Sequence, residues 1–240
     1  MDLKETDILG KDIHAHWYYS SKAKAVSRTL ESEACTTILD VGAGSGFFSK
    51  YLLNTTSAQS AWCVDISYDA DSDTLESGKP VHYRRDIGAI DADLVMLMDV
   101  LEHVDDDEGL LQTYVDKVPE GSWFLITVPA FQFLWSGHDD FLEHKRRYTL
   151  KQLEAVVQKT GLTINKGFYF FGGVFPIVTT VRCVQNATRK SRPAKSQLAR
   201  HSTVVNAFLK LLCHAELPFV GRNRIAGLSV FCLAQKPGPK

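Results

Sequence analysis

Acidic residues are missing from a long part of this 240-residue chain, between positions 155 and 215. Residues 155–240 contain 13 Lys or Arg and a single acidic residue, Glu216, whereas residues 1–154 contain 27 acidic and 14 basic residues. The net charge of −1 therefore conceals an acidic part and a basic part. This asymmetry indicates that the basic part meets an anionic partner, or else the acidic part of its own chain.

Cysteine and long apolar runs are also scarce. The five cysteines are scattered without zinc-ligand spacing, which is typical of reduced core residues in a cytoplasmic protein. The longest uncharged apolar stretch, residues 167–181, has 15 residues and contains Gly and Pro, whereas a membrane-spanning helix needs about 20. The N-terminus shows no signal-peptide pattern. We expect a cytoplasmic protein with one main core that does not span a membrane.

The most informative stretch is residues 38–48, which read ILDVGAGSGFF. The apolar start predicts a buried parallel strand, the three glycines predict a turn that lets the backbone approach a ligand, and a helix follows from Phe47. Gly46 follows Gly44 by two positions, whereas the third glycine of a dinucleotide-binding turn follows the second by three. A second apolar strand, residues 61–64, ends at Asp65, whose carboxylate is placed to accept both hydroxyls of a ribose.

This combination resembles the class I S-adenosylmethionine-dependent methyltransferases. The resemblance implies that the glycines approach the methionine part of S-adenosyl-L-methionine, that Asp40 holds its charged end and that Asp65 binds its ribose. It also implies that Asp86, after a third strand at residues 81–85, faces the adenine amino group. The implied cofactor residues are Asp40, Gly42, Gly44, Gly46, Asp65, Ile66, Asp86, Ile87 and Asp99.

Further segments narrow the resemblance over residues 14–170. They are residues 16–19 (HWYY), 134–139 (LWSGHD) and 144–149 (HKRRYT). Together they look like the bacterial methyltransferases of the type 11/12 kind, which are found beside enzymes of glycan and lipid-linked sugar biosynthesis. One departure is that relatives tend to carry arginines where this chain has Ser20, Ser21 and Lys22. The expected acceptor-binding residues are Trp17, Tyr19, Trp135, Arg146, Arg147 and Tyr148.

Arg146 and Arg147 have two interpretations. Their guanidinium groups are suited to bind a phosphate or carboxylate of the acceptor with paired hydrogen bonds. Alternatively, they form an exposed basic turn that pairs with Asp139, Asp140 or Glu143.

A fourth and a fifth strand are predicted at residues 93–98 and 123–128. Three histidines follow these strands, at the edge where open α/β sheets place their chemistry. His103 is the first candidate for a base that removes the acceptor proton, and His138 and His144 are the alternatives. Asp99, Glu102 and His103 also have the i, i+3, i+4 spacing of one helix face. This set resembles the Mg²⁺ or Mn²⁺ motif of ubiquinone-pathway O-methyltransferases and of small-RNA terminal 2′-O-methyltransferases, with His144 completing it. Because the first residue is Asp and not the usual Glu, a divalent metal is the less favoured interpretation.

The expected fold is a doubly wound, mostly parallel, seven-stranded α/β sheet of the Rossmann-like class I methyltransferase type. Residues 1–35 are expected to form an N-terminal helical cap, and residues 36–170 with 223–237 the cofactor-binding core. Residues 171–222 are expected to form a helical basic insertion before the last strand, with a loop-like middle at 186–201 and a helix at 204–212. The last strand is expected at residues 225–234, antiparallel beside the sixth strand at about 162–169, and a helix is expected to begin at Thr149 as its N-cap. We interpret this insertion as a substrate lid.

The predicted function is methyl transfer to a small-molecule, lipid-linked or glycan-linked acceptor that is anionic or amphiphilic. Peripheral contact of the basic part with anionic membrane is part of the same hypothesis. The alternatives are an RNA methyltransferase or a non-catalytic cofactor-binding subunit. The sequence argues against a nucleic-acid partner, because few aromatics interleave with the basic run at 186–201. A dehydrogenase has the wrong glycine spacing.

Overall fold

The computed structural model describes residues 13–187 and 202–238. Helices and strands alternate through most of them. The strands are β1 (Thr37–Val41), β2 (Ser60–Val64), β3 (Ser72–Glu76), β4 (Lys79–Arg84), β5 (Leu94–Met98), β6 (Trp123–Pro129), β7 (Thr163–Phe170) and β8 (Ser229–Gln235). The helices are α1 (Trp17–Thr29), α2 (Phe47–Thr55), α3 (Asp107–Lys117), α4 (Gly137–Phe141), α5 (Leu150–Lys159), α6 (Phe175–Ala187) and α7 (Thr203–Glu216).

The strands of the described residues form one sheet in the order β3-β4-β2-β1-β5-β6-β8-β7. The pairings β4-β2, β2-β1, β1-β5 and β5-β6 are parallel, and β8 runs antiparallel between β6 and β7. This confirms the mostly parallel α/β fold and the antiparallel last strand. Because β1 stands in the middle of the sheet, its carboxyl end opens onto the crevice where such folds bind ligands.

The sheet has one strand more than the predicted seven. β3 pairs antiparallel with β4 at the sheet edge, through a turn at Ser77 and Gly78 with φ values of 50° and 80°. Two consecutive residues of positive φ make the type of turn that joins adjacent antiparallel strands. β3 is mostly exposed and polar, so it lacks the apolar alternation by which a strand is recognised.

Two apolar clusters cover the two faces of the sheet. One face packs against α1, α2 and α7 through residues such as Tyr19, Phe47 and Cys213. The other packs against α3 and α5 through residues such as Leu111 and Leu153. Helices on both faces are the doubly wound arrangement that the alternating sequence predicts.

The insertion contains two helices, α6 and α7, of which the sequence predicts only the second. α7 lies against the N-terminal segment: the side chain of Asn206 accepts a hydrogen bond from Trp17 N (2.8 Å) and donates one to Ala15 O (3.0 Å). The basic middle of the insertion, 188–201, lies outside the described residues. Within 13–187 and 202–238, no helix is long and apolar enough to cross a membrane.

The last strand begins at Ser229, four residues later than the apolar run that starts at Ile225 predicts. The side chain of Asn223 accepts hydrogen bonds from Ile225 N (3.1 Å) and Ala226 N (3.4 Å), which bends this segment into a turn. At Gly227 the backbone lies against the carbonyl of Phe170, where a Cβ would clash. Residues 223–227 therefore form a turn, and β8 pairs with its neighbours only from Ser229 onward.

Candidate active site

The glycine turn connects β1 to α2 at the carboxyl edge of the sheet. Gly42, Gly44 and Gly46 have φ values of 64°, 54° and 70°, a region that favours glycine. A Cβ on Gly42 would lie 2.7 Å from Cγ2 of Val100, on the segment after β5. Gly42 N donates to Val64 O at 2.7 Å, which fixes the turn against β2. The turn therefore brings bare backbone to the strand ends, as the sequence predicts.

Asp65 lies directly beside this turn. Its Oδ2 accepts a hydrogen bond from Gly44 N at 3.0 Å, and its Oδ1 accepts one from Ser67 N at 3.0 Å. Tyr68, which sequence reasoning missed, donates from its hydroxyl to Gly44 O at 2.6 Å. Ile66, the neighbour of Asp65, has an 86% exposed side chain. The backbone of Gly44 is therefore held on both sides, its N–H by the carboxylate of Asp65 and its carbonyl by the hydroxyl of Tyr68.

Asp40 lies behind the turn, inside the fold. Its side chain is buried and accepts a hydrogen bond from the hydroxyl of Ser49 on α2 at 2.7 Å. Burial raises the pKa of Asp40 to about 6, although the hydrogen bond from Ser49 opposes this shift. Asp40 therefore fixes α2 under the glycine turn, and its contact with the charged end of the cofactor stays a prediction.

Asp86 lies on the open side of the same edge, after β4. Its side chain is 86% exposed and lies 3.3 Å from Nζ of Lys117. A hydrogen bond from the backbone of Ile87 and the Lys117 ammonium lower the pKa of Asp86, so that it is a carboxylate at neutral pH. Ile87 packs partly against the core. Both residues lie where the resemblance expects the adenine, and that role stays a prediction.

Asp99 directly follows β5, and its carboxylate is bound by residues of α1. Its carboxylate forms an ion pair with Lys22 of α1, which is fully buried, and accepts hydrogen bonds from Tyr18 (3.4 Å) and Thr127 (3.1 Å). Burial by itself would raise the pKa of Asp99, but Lys22 outweighs it and the pKa is lowered. Burial by itself would lower the pKa of Lys22, but Asp99 and Tyr18 raise it above its usual range.

Sequence reasoning missed Lys22 and Tyr18. The only signal was the position of Lys22 in the segment where relatives tend to carry arginines. Of the three positions 20–22, only Lys22 carries a positive charge, and it neutralises the carboxylate of Asp99. The backbone of Asp99 has a φ of 57°, which turns its side chain toward α1 at the end of the strand.

Glu102, His103 and His144 form a cluster next to Asp99. One potential ligand atom of each lies within 4.8 Å of the others, and the two imidazole rings are 4.8 Å apart between centroids. Glu102 is buried, and burial together with the charge of Asp99 raises its pKa well above the usual value. The structure therefore brings two of the three predicted histidines together, while His138 lies on α4 outside this cluster.

Arg147 and Tyr148 are structural, contrary to the expectation that they bind the acceptor. Arg147 is 8% exposed, and its Nε lies 2.6 Å from Oδ1 of Asp139, as the pairing interpretation predicts. Tyr148 is buried and donates from its hydroxyl to Asp107 at 2.6 Å. Asp107 also lies 3.4 Å from Arg146, whose Nη2 donates to a backbone carbonyl at 2.8 Å.

Tyr19 is also a packing residue and not a surface for an acceptor. It is 1% exposed and meets Phe47 edge to face at 5.6 Å between ring centroids. Trp17 is partly buried and lies against Phe171, with 5.7 Å between centroids, beside the site. Trp135 donates from Nε1 to Asp140 at 2.9 Å. Of the six expected acceptor residues, Trp17, Trp135 and Arg146 are partly exposed, and the other three are buried.

The glycine turn with Asp65, the order of the strands and the antiparallel β8 define the class I S-adenosylmethionine-dependent methyltransferases. The residues fit this cofactor, because the turn presents backbone groups without side chains next to the carboxylate of Asp65. At Gly42 and Gly46 only glycine fits, since a Cβ would come within about 3 Å of neighbouring side chains. A family model described as a methyltransferase domain matches residues 14–166. The chain therefore belongs to the methyltransferase domain family, and it is an enzyme that uses S-adenosyl-L-methionine.

Solved structures share the fold at low sequence identity. A methyltransferase from Archaeoglobus fulgidus, described as SAM dependent, has a TM-score of 0.52 at 17% identity, covering 90% of this chain and 93% of that chain. A chain from the complex between the Haloferax volcanii Trm112 methyltransferase activator and a methyltransferase has a TM-score of 0.59 at 14% identity, covering 99% and 94%. Phosphoethanolamine N-methyltransferase 2 of Haemonchus contortus, solved with S-adenosyl-L-methionine, has a TM-score of 0.56 at 16% identity, covering 99% and 60%. Among curated proteins, no sequence matches the chain.

Proposed function

We propose that the chain methylates an anionic or amphiphilic acceptor, such as a lipid-linked or glycan-linked molecule, and that His103 activates this acceptor. The observation that carries the proposal is the cluster of Glu102, His103 and His144, which directly follows β5 at the same sheet edge as the glycine turn. Titratable groups gathered at the edge that binds the cofactor are the expected machinery for a proton on the acceptor.

Bound S-adenosyl-L-methionine supplies an electrophilic methyl group on a sulfonium sulfur. The residues of this chain have three tasks around it. The glycine turn and Asp65 hold the nucleoside and methionine parts of the cofactor. The Lys22–Asp99 ion pair holds α1 against the end of β5 and so keeps water from this side of the site. His103 would accept the proton that the acceptor's nucleophile loses on methylation, and S-adenosylhomocysteine would remain as the second product. Orientation and the exclusion of water account for most of the rate in such an in-line displacement.

The acceptor class follows from the insertion. Its two helices each expose apolar side chains at i, i+4 and i+7 spacing, which for a helix is one face. These side chains are Ile177, Val181 and Val184 on α6 and Val204, Phe208 and Leu211 on α7. An exposed apolar surface beside an excess of basic residues suits a molecule with an anionic head and an apolar tail.

The acidic residue of the C-terminal part does not neutralise this basic charge at the lid surface. Glu216 instead accepts hydrogen bonds from the backbone of Gly172 (3.0 Å) and of Gly173 before α6. Some basic residues of this part are paired with acidic residues of the same chain: Arg224 lies 2.9 Å from Glu154, and Lys159 lies 2.9 Å from Glu108. Pairing with the acidic part of the chain therefore accounts for some of the basic residues, and we assign others to the anionic acceptor.

Turnover tests the role of His103. Formation of S-adenosylhomocysteine is measured with a panel of phosphorylated, lipid-linked and glycan-linked acceptors. We expect His103→Ala to lose about 10²–10⁴-fold in turnover, the usual contribution of a positioned proton-transfer group, while it binds S-adenosylhomocysteine as the wild type does. His82→Ala, on β4 and outside the cluster, is the matched control and keeps turnover. A fully active His103→Ala variant would move the role to another residue.

Vesicle binding tests the amphiphilic surface. We expect the full chain to sediment with vesicles of anionic phosphatidylglycerol at low salt and not with neutral phosphatidylcholine, because each basic residue near an anionic surface contributes about 1 kcal/mol. Phe208→Asp and Leu211→Asp, both at exposed positions of α7, should reduce the bound fraction. No sedimentation with anionic vesicles would remove the membrane part of the proposal and leave the soluble acceptors.

A further inference from the structure

Glu102 is in an unusual position for a carboxylate. It has 0% exposure, and neither of its carboxylate oxygens accepts a hydrogen bond from another residue that the structure describes. A buried carboxylate without partners is costly, and proteins keep such groups where a proton, a cation or a metal ion satisfies them. The nearby cation, Lys22, is taken by Asp99.

His144 is oriented by a second carboxylate. Its Nδ1 lies 3.0 Å from Oδ1 of Asp139, and Asp139 is fully buried in an ion pair with Arg147. A carboxylate only accepts, so Nδ1 of His144 carries the donated proton and the lone pair of neutral imidazole is on Nε2. A buried carboxylate that fixes a histidine in this way is the typical outer partner of a histidine that binds a metal.

The three side chains have the spacing of a ligand set. One ligand atom of Glu102, one of His103 and one of His144 lie within 4.8 Å of one another. Small side-chain rotations would bring them to the separation of about 3–3.5 Å that three donors at about 2.0–2.2 Å from one ion require. Asp99 is not part of the set, since Lys22, Tyr18 and Thr127 occupy its carboxylate. Two imidazoles and one carboxylate suit Zn²⁺, Mn²⁺, Fe²⁺, Co²⁺ or Ni²⁺, whereas Mg²⁺ prefers oxygen ligands.

We propose that Glu102, His103 and His144 bind one divalent first-row transition metal ion, with Asp139 as the positioning residue of His144. The site differs from the set that the spacing of the sequence suggests, because Asp99 is excluded and because two histidines disfavour Mg²⁺. Three protein ligands leave coordination positions open, as in catalytic metal sites. The consequence for catalysis rests on the proposed function: with His103 as a ligand, the ion would take over acceptor activation from the free imidazole by binding the acceptor's oxygen and lowering its pKa.

The test is metal binding by the full chain without cofactor or acceptor. The purified protein is stripped with a chelator and titrated with Co²⁺, whose visible absorption reports its coordination, and Zn²⁺ is measured by calorimetry. We expect one ion per chain, displacement of Co²⁺ by Zn²⁺ and no displacement by Mg²⁺. Glu102→Gln and His144→Ala should lose the Co²⁺ absorption, and Asp139→Asn should bind about 10–100-fold more weakly.

His82→Ala is the control that removes a histidine outside the cluster, and it should bind Co²⁺ as the wild type does. Circular dichroism and thermal melting establish that each variant is folded. The proposal is overturned if the folded wild type binds no Co²⁺ or Zn²⁺ in a one-to-one ratio, or if Glu102→Gln and His144→Ala keep the wild-type affinity. Neither result would touch the proposed methyl transfer, which is measured separately through turnover.

Discussion

Removing the buried ammonium group of Lys22 should strongly destabilise the protein. Its side chain is 0% exposed and pairs with Asp99, whose side chain is 26% exposed. Lys22→Met keeps a long unbranched side chain between the rings of Tyr18 and Phe48, which lie 5.4 and 5.9 Å from Nζ, and removes only the charge and its hydrogen bonds. The variant leaves the carboxylate of Asp99 without its cation.

The expected loss follows from the burial of the pair. Breaking a buried ion pair by removing one partner costs about 3–5 kcal/mol. Because Asp99 keeps some contact with solvent, we expect the lower end, about 3 kcal/mol in the free energy of unfolding. For a protein of this size, this corresponds to a fall in Tm of about 6–12 °C. Lys24→Met, at an exposed position of the same helix, should change stability by less than about 0.5 kcal/mol.

The pH dependence of this loss has a defined sign. The folded state lowers the pKa of Asp99, so its contribution is present above the unfolded pKa of about 3.9 and is lost as the pH falls further. The folded state raises the pKa of Lys22, so its contribution is present below the unfolded value of about 10.4 and is lost as the pH rises further. The stability difference between wild type and Lys22→Met should therefore be constant from about pH 5 to 9 and shrink on either side.

Urea unfolding of the wild type, Lys22→Met, Asp99→Asn and the double variant is the assay. The double variant should be more stable than the sum of the two single losses predicts, because it leaves no unpaired charge. The reasoning is refuted if Lys22→Met unfolds within about 0.5 kcal/mol of Lys24→Met, or if the two single losses simply add.

The remaining predictions concern the cofactor cradle and one helix start. Asp65→Ala should weaken binding of S-adenosylhomocysteine by about 1–3 kcal/mol in calorimetry, the cost of leaving polar groups unpaired, and unchanged affinity would exclude the ribose role. Gly42→Ala places a Cβ 2.7 Å from Val100 at a φ of 64°, so both cofactor affinity and Tm should fall, whereas a wild-type affinity would show that the turn does not meet the ligand. Thr149→Ala removes the side chain that accepts from Gln152 N at the start of α5 and should cost about 1 kcal/mol in urea unfolding; no change would contradict the cap.

The parts of the fold that could be predicted are those that local pattern determines. The glycine turn, the parallel strands around it and the start of α5 at Thr149 each follow from neighbouring residues. The missed elements carry no such pattern. β3 is a polar edge strand. α6 follows two glycines and is rich in β-branched residues, which have low helix propensity.

The site shows the same division. Asp65 lies at a strand end that the sequence marks, and the structure places it on the glycine turn. The ion pair of Lys22 joins positions 77 residues apart, which no local pattern reveals. Arg147 and Tyr148 belong to a stretch that looks exposed and basic, but both side chains point inward to the carboxylates of Asp139 and Asp107. Whether a polar side chain faces an acceptor or a buried partner is decided by tertiary packing, which the sequence does not display.

Calorimetric titration with S-adenosylhomocysteine, and with NAD⁺ alongside, tests the central claim most directly. That claim is that the turn of Gly42, Gly44 and Gly46 together with Asp65 forms the cofactor cradle. The account predicts micromolar binding of S-adenosylhomocysteine to the wild type, weaker binding to Asp65→Ala and no binding of NAD⁺. A folded wild-type protein that binds NAD⁺ in preference, or that binds S-adenosylhomocysteine no better than Asp65→Ala does, would contradict it.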